Sequence, residues 1–560
     1  MKKSLLLGLI ASVVMLASCG KLNKPEQISV SPAMLELKGG KVAADIKGTF
    51  PVKKFAKKGV LVVTPVLKFD GQEVLGKPVT YVGEKAKENG TTVKYKDGGT
   101  YTQHCEFDYI PEMKESELYL RFDARVGKKV IQIPDVKVAD GVITTPELVK
   151  VNENATATTP DKFQRVIQDI TEADIKFLIQ QASLRSSETG SDEMKALKAA
   201  IKDAQNADRK EINKIEVLGY ASPDGKEDLN KSLAENRQKV AANYLKNDLK
   251  KNKVKKEIET DITAEDWEGF KKLVEESNLP QKDALLRVLN DTDDPEEREA
   301  RIKAVAPAYD QIKDEILPAL RRSRLVLTTD LIGKSDEEIL ALVKEDPAQL
   351  DVEELLYAVT LLEDKADKLA LLQLIADTRN EYRAWNGMGQ IYFNDGNIAE
   401  ARRCFGKALN IQPKDADVNY NAGLAALADN DLAKAEEYLG KAGGTKANLA
   451  GAMGVLYTKK GNYEAAKKEY AGQVTNNAAA QQILNKEYDA AAKTLDAIKE
   501  PNATTAYLKA VLGARMNDRA AVISNLKDAT GKCAKLKERA ATDKEFVKFF
   551  EDADFQAIVK

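Results

Sequence analysis

The chain has 560 residues, and its 86 Lys plus Arg against 88 Asp plus Glu leave a formal net charge of −2, without the basic footprint by which nucleic-acid-binding domains neutralise phosphates. Four cysteines and a single histidine exclude a disulfide-stapled scaffold, histidine-rich zinc sites and any Ser-His-Asp or Cys-His relay away from His104. A chain of this length has room for several hydrophobic cores.

Met1, Lys2 and Lys3 precede an apolar run over residues 5–16, too short to span a bilayer comfortably but right for the core of a signal peptide. It ends in Leu16-Ala17-Ser18-Cys19-Gly20, which resembles the lipobox of bacterial lipoproteins. The resemblance implies removal of residues 1–18 and palmitate-type acylation of the Cys19 thiol. Several acyl chains on one residue, at about 0.8 kcal/mol per buried methylene, anchor far more durably than a single chain. Lipoproteins of this type that stay at the inner membrane carry an aspartate after the cysteine, so Gly20 implies the outer membrane. No later segment holds a membrane-spanning run of apolar residues, so no further span is expected.

Residues 28–145 read as strands broken by turns: 60–69 before Asp70-Gly71, 93–96 before Asp97-Gly98-Gly99, and 118–126 before Gly127. Alternation in Leu118, Leu120 and Phe122 and the even spacing of the turns predict an all-β, sandwich-like domain over 19–150. His104 and Cys105 are neighbours on a predicted strand, so their side chains point to opposite faces and cannot share a metal ion. Cys404 and Cys533 are the other cysteines of the mature chain. Residues 151–160, Val-Asn-Glu-Asn-Ala-Thr-Ala-Thr-Thr-Pro, lack periodicity and apolar bulk and are expected to be a linker.

An α+β domain is expected over 161–334, with strands at 175–184, 214–220, 254–262 and 323–331, helices at 193–205 and 227–246, and a charged helical insertion over 265–322. Within it Gly219-Tyr220-Ala221-Ser222-Pro223-Asp224-Gly225, followed by Asn230, Leu233, Arg237, Tyr244 and Leu245, resembles the core motif of OmpA-like domains without a gap. The resemblance implies peptidoglycan binding, in which an aspartate ending the strand and an arginine on the next helix grip diaminopimelate. A zwitterionic ligand end calls for such a pair, a carboxylate for its ammonium and a forked guanidinium for its carboxylate. Arg237 stands at the arginine position and Asn230 within the motif, but Ser222 replaces the aspartate, and Asp224 is the nearest carboxylate on the loop. Asp224 is read either as a ligand or as a Ser-Pro-Asp-Gly turn residue capping the next helix. Arg237 lies in line with Leu229 and Leu233 on the apolar stripe and there requires a partner.

From Ser335 onward every long apolar pattern has helical period, so 335–560 is expected to be all-α. Trp385, Met388, Gly389, Tyr392, Ala401, Phe405, Ala408 and Pro413 fall on the signature positions of a tetratricopeptide repeat. Gly423, Ala435, Leu439 and Ala442, then Met453, Gly454, Tyr457, Ala466 and Tyr470, carry the pattern onward, with the clearest repeats over 382–473. The resemblance implies a solenoid with a concave groove for extended peptides or partner helices, lined by Asn386, Gln390, Asn394, Tyr420 and Leu424. The alternative is a groove that packs only against the protein's own domains. The subclass that clamps chaperone tails would carry a lysine at Asn386 and an asparagine at Gln390, so that ligand class is not expected.

These readings combine into an outer-membrane lipoprotein facing the periplasm, an envelope scaffold whose OmpA-like domain contacts peptidoglycan while its repeats bind protein partners. The alternative is a surface-exposed adhesion or fimbria-associated lipoprotein that has lost peptidoglycan binding. No cofactor, metal site or catalytic constellation is expected, so the chain is read as a non-enzyme.

Overall fold

The structure is a computed structural model describing residues 22–305 and 308–560. The signal peptide and Cys19 lie outside the described residues. The chain divides into two compact units, residues up to 160 together with 363–560, and residues 161–362.

The first unit opens with a β-rich domain built on a 10-stranded sheet. Lys41–Phe50 and Gly99–Asp108 pair antiparallel along their whole length and bury every second residue. Gly59–Phe69 and Ser116–Val126 form a second antiparallel ladder, and Val42, Tyr101, Leu61 and Leu120 from the two ladders meet in one core. The register sets Asp45 opposite His104, and His104 Nδ1 lies 2.8 Å from the Asp45 carboxylate at the surface. Cys105 points the other way, into the core.

The rest of this unit is helical: Lys365–Arg379, then the hairpins Tyr382–Asn394 with Ile398–Ile411, Ala416–Ala428 with Leu432–Lys441, Leu449–Lys459 with Tyr463–Glu469, Asn476–Leu484 with Tyr488–Ala497, and Ala503–Met516 with Arg519–Lys532, and the last helices Lys535–Thr542, Lys544–Phe549 and Ala553–Val559. Asn397, Asp415, Asp431, Asn448 and Asn462 each accept a hydrogen bond from a first-turn backbone N–H, which fixes where their helices start. Within each of the first three hairpins a glycine marks the crossing. A Cβ on Gly389 would meet Phe405 at 2.4 Å, one on Gly423 would meet Leu439 at 2.6 Å, and one on Gly454 would meet Tyr470 at 2.5 Å. Three different chemistries thus use the same sterics at the same place in the repeat.

The expected linker is not free chain. Leu148, Val149 and Ala157 belong to the same apolar core as Phe405, Tyr420 and Leu456 of the hairpins. The β domain also touches the array directly, through Tyr463 Oη donating to the Leu37 carbonyl at 3.4 Å and Lys38 lying over the Tyr463 ring. Polarity and small side chains made residues 151–160 look like a tether; they lie instead against the helices.

In the second unit Val166–Lys176, Arg322–Ile332, Lys210–Tyr220 and Ile258–Thr263 form a four-stranded sheet in that spatial order. The last two run parallel, and the other pairs are antiparallel. Helices Asp192–Asn206 and Glu227–Lys251 bury Leu197, Ile201, Ala241 and Leu245 against Ile175, Val217 and Leu325. Gly219 has no room for a side chain, since a Cβ there would stand 2.3 Å from the Ala234 carbonyl. The inserted helices between Trp267 and Leu320 have a core of their own around Phe270, Leu285, Ile302 and Leu317.

Two expectations about this region require correction. The first strand is Val166–Lys176 rather than 175–184, because its outer half, Val166-Ile167-Gln168-Asp169-Ile170, is exposed on both faces and so carries no alternation of apolar and polar residues. The helices Asp336–Glu345 and Val352–Leu361 belong to the second unit and not to the repeat region expected from 335. Arg165 pairs with Asp336, Phe163 stacks on Tyr357 at 4.4 Å, and Lys334 pairs with Glu354 at 2.8 Å, which ties these helices to the entry and exit of the sheet.

Candidate functional site

Two sites follow from the sequence, and the structure treats them differently. The loop after Lys210–Tyr220 and the helix Glu227–Lys251 bring Ser222, Asp224, Asn230 and Arg237 into one neighbourhood. Each is committed to a protein partner. Ser222 Oγ donates to the Asp224 carboxylate, whose other oxygen takes a hydrogen bond from Arg321 Nη2 at 3.2 Å, while Arg321 Nε reaches Ser222 Oγ at 3.4 Å. Asn230 Nδ2 donates to the Gly225 carbonyl at 3.4 Å.

Arg237 is 1% exposed. Its Nε donates to the Gln181 carbonyl at 3.0 Å, Nη1 to the Tyr220 carbonyl at 3.0 Å and Nη2 to the Leu178 carbonyl at 3.5 Å, with the Phe177 ring beside it. Burial, then the Arg321 guanidinium, push its pKa down to about 10, against the pull of Asp224. It remains a cation at neutral pH and clamps the turn after Val166–Lys176 to the end of Lys210–Tyr220. The inserted helices wall the other side of Asp224, where Pro223, Trp267, Phe270 and Tyr309 leave a cavity of about 10 Å3, room for about one water molecule. Arg321, which sequence reasoning missed, takes the carboxylate that a ligand's ammonium would need.

The second site is the concave side of the hairpin array. Asn386 is fully buried there, Gln390 is half-buried and Asn394 is exposed. Tyr420 and Leu424, expected to line the groove, are instead fully buried members of the apolar core. They sit where a strict carry-over of the repeat register puts the groove. The neighbouring Asn421, about 100° further round its helix, is the residue that faces it.

Residues 144–160 run through this groove from the last helices to the first hairpin. At the entry Arg539 Nη2 donates to the Thr144 carbonyl at 3.1 Å, and Thr145 Oγ1 donates to Glu545, a carboxylate paired with Arg515 at 2.6 Å. Burial raises the pKa of Glu545 against the pull of Arg515.

Further along, Asn477 holds both backbone groups of Lys150: the Lys150 N–H donates to Asn477 Oδ1 at 2.8 Å, and Asn477 Nδ2 donates to the Lys150 carbonyl at 2.8 Å. Glu153 accepts from Asn476 Nδ2 at 2.8 Å and from the Asn477 N–H at 3.3 Å, the first turn of its helix, and burial raises its pKa. Asn154 lies over Gly451, where a Cβ would meet its Oδ1 at 2.4 Å.

Asn421 repeats the double clamp on Ala157, accepting from its N–H at 2.7 Å and donating to its carbonyl at 2.8 Å. Asn386 donates to Thr159 Oγ1 at 3.1 Å and Gln390 to Thr156 Oγ1 at 3.2 Å. A side-chain amide that pairs with the N–H and C=O of one residue copies a β-ladder rung.

The comparisons with known proteins bear on this region. The tetratricopeptide repeat family model matches residues 382–415, so the helical region carries tetratricopeptide repeats and with them a protein-interaction scaffold. No curated protein sequence matches the chain. Solved structures similar to it include a tetratricopeptide repeat protein from Parabacteroides merdae ATCC 43184, 14% identical, TM-score 0.31, covering 44% of this chain and 97% of that one. PilW, described as a widely conserved type IV pilus biogenesis factor, is 17% identical with a TM-score of 0.27, over 40% of this chain and 98% of its own. PilF of Pseudomonas aeruginosa is 15% identical with a TM-score of 0.29, over 38% and 98%.

Proposed function

We propose that the protein is a lipid-anchored scaffold of the bacterial outer membrane, held by acyl chains on Cys19, that assembles envelope proteins through its repeats and catalyses no reaction. The observation that carries this reading is the lipobox and the repeat array standing on one chain. Hairpins of this class recognise proteins by surface rather than by reactive groups. In vivo crosslinking followed by pull-down from envelopes tests the scaffold role: specific envelope proteins are expected in the wild type and absent when the repeats are deleted. Cys19→Ala is expected to abolish incorporation of labelled palmitate and leave an uncleaved or released form. Unchanged labelling would remove the anchor from this reading.

The OmpA-like resemblance of Gly219 to Leu245 admits two versions, one contacting peptidoglycan from the periplasm and one that has lost the wall and belongs to a surface-exposed adhesion or fimbria-associated assembly. The commitment of Arg237 to three backbone carbonyls and of Asp224 to Arg321 favours the second. A diaminopimelate end would have to displace buried partners to enter, and each unpaired buried polar group costs about 1–3 kcal/mol. The soluble chain is therefore expected to stay in the supernatant when sedimented with purified sacculi. Pelleting that Asp224→Asn abolishes would restore the wall-contacting version. Protease shaving of intact cells separates surface from periplasmic display.

A further inference from the structure

The contacts of residues 144–160 with the repeats fall into two classes. Up to Val149 the segment is held as core: Leu148 and Val149 are buried among the hairpins, and Thr145 joins the buried Arg515–Glu545 pair. From Lys150 to Pro160 only Asn154 and Ala157 are buried; Ala157 reaches the apolar core and Val151 packs against it, and the polar grip is made of side-chain amides on backbone groups and hydroxyls. Amides that read the backbone do not read the sequence. They ask for an extended chain, and the Ala157 seat asks for a small side chain. The Glu153 seat, two donors at the N-terminal turn of Asn476–Leu484, asks for a carboxylate.

We propose that the concave face of the repeats is a peptide-binding groove loaded in cis, and that an extended partner segment with a carboxylate at the Glu153 seat and a small residue at the Ala157 seat enters by replacing residues 150–160. This deepens, and rests on, the reading of the repeats as a partner-binding module. The resident segment is joined at both ends to folded structure, so it competes at an effective concentration of order millimolar. With an intrinsic dissociation constant of about 10 µM for the resident segment itself, any segment arriving in trans is held back about a hundredfold, until something pulls the resident segment out.

The test uses the soluble full chain and a fluorescein-labelled peptide with the sequence of residues 150–160, followed by anisotropy. The intact chain is expected to bind it about a hundredfold more weakly than either of two opened forms. One is Ala157→Glu, which puts a charge into the small seat. The other is a chain cut after folding at a protease site inserted beside the exposed Ala155, which serves if Ala157→Glu folds poorly. In the cut chain Asn421→Ala, and separately Asn477→Ala, should weaken the peptide about tenfold each. Equal binding by intact and cut chains, no binding by the cut chain, or indifference to both asparagine substitutions would each overturn the proposal. Purified components decide it, so its failure is separate from failure of the envelope pull-down.

Discussion

Gly389→Leu should lower the melting transition of the whole first unit, the β domain included, and not of the helices alone. A Cβ at position 389 would lie 2.4 Å from Phe405 Cε1 and 2.6 Å from Cδ1, and the Phe405 ring is fully buried. Inserting an isobutyl group there separates the two helices of the hairpin, at a cost of about 3 kcal/mol or more, the upper end of overpacking penalties. Phe405 shares its core with Leu148, Val149 and Ala157 of the segment that continues from the β domain, so loss of the hairpin loosens both ends. Gly406 has open space where a Cβ would go. Gly406→Ala should therefore leave the fold intact and gain about 0.5–1 kcal/mol from helix propensity. Calorimetry of the soluble chain reads both variants. A β domain that melts at its original temperature in Gly389→Leu would show that the segment does not couple it to the repeats.

The repeats were legible because their glycines answer a steric demand that depends on position alone. Gly389, Gly423 and Gly454 face a phenylalanine, a leucine and a tyrosine, yet the small residue recurs because the helices cross there. The groove was less legible for a related reason. The register runs unbroken from Asn386 to Tyr420, as it does from Gly389 to Gly423, but the amide that grips the segment in the second repeat stands one residue later, about 100° round the helix, at Asn421. The occupant of the groove left no signal in the sequence. A segment bound through its backbone needs neither apolar periodicity nor charge, and Asn154-Ala155-Thr156-Ala157-Thr158-Thr159 has the composition of a flexible tether. The buried, fully matched amides Asn421 and Asn477 are the trace it leaves, and they become readable only in three dimensions.

The motif around Arg237 shows the reverse case, a residue whose burial follows from the sequence while its partners do not. Alignment with Leu229 and Leu233 puts the arginine near the apolar stripe, although Leu229 itself is 49% exposed. The acceptors are carbonyls of Leu178, Gln181 and Tyr220, groups every residue possesses and no side-chain pattern announces. Arg237→Ala should thus act on stability. It removes a fully buried side chain and leaves a void beside Phe177, and it takes the donor from three part-buried carbonyls, for a total of about 3 kcal/mol or more. For a domain of this size that corresponds to a fall of roughly 6–12 °C in the melting temperature of the second unit. Arg237→Lys should recover only part of the loss, because one ammonium cannot follow a fork directed at three carbonyls. Arg237→Met keeps the bulk without the donors, and should fall as far as alanine less the cavity cost. Thermal unfolding of the soluble chain, read at Trp267 in this unit, ranks the four proteins. If Arg237→Ala melted like the parent while changing only sedimentation with sacculi, the arginine would be a ligand-binding group after all and the wall-contacting version would move ahead.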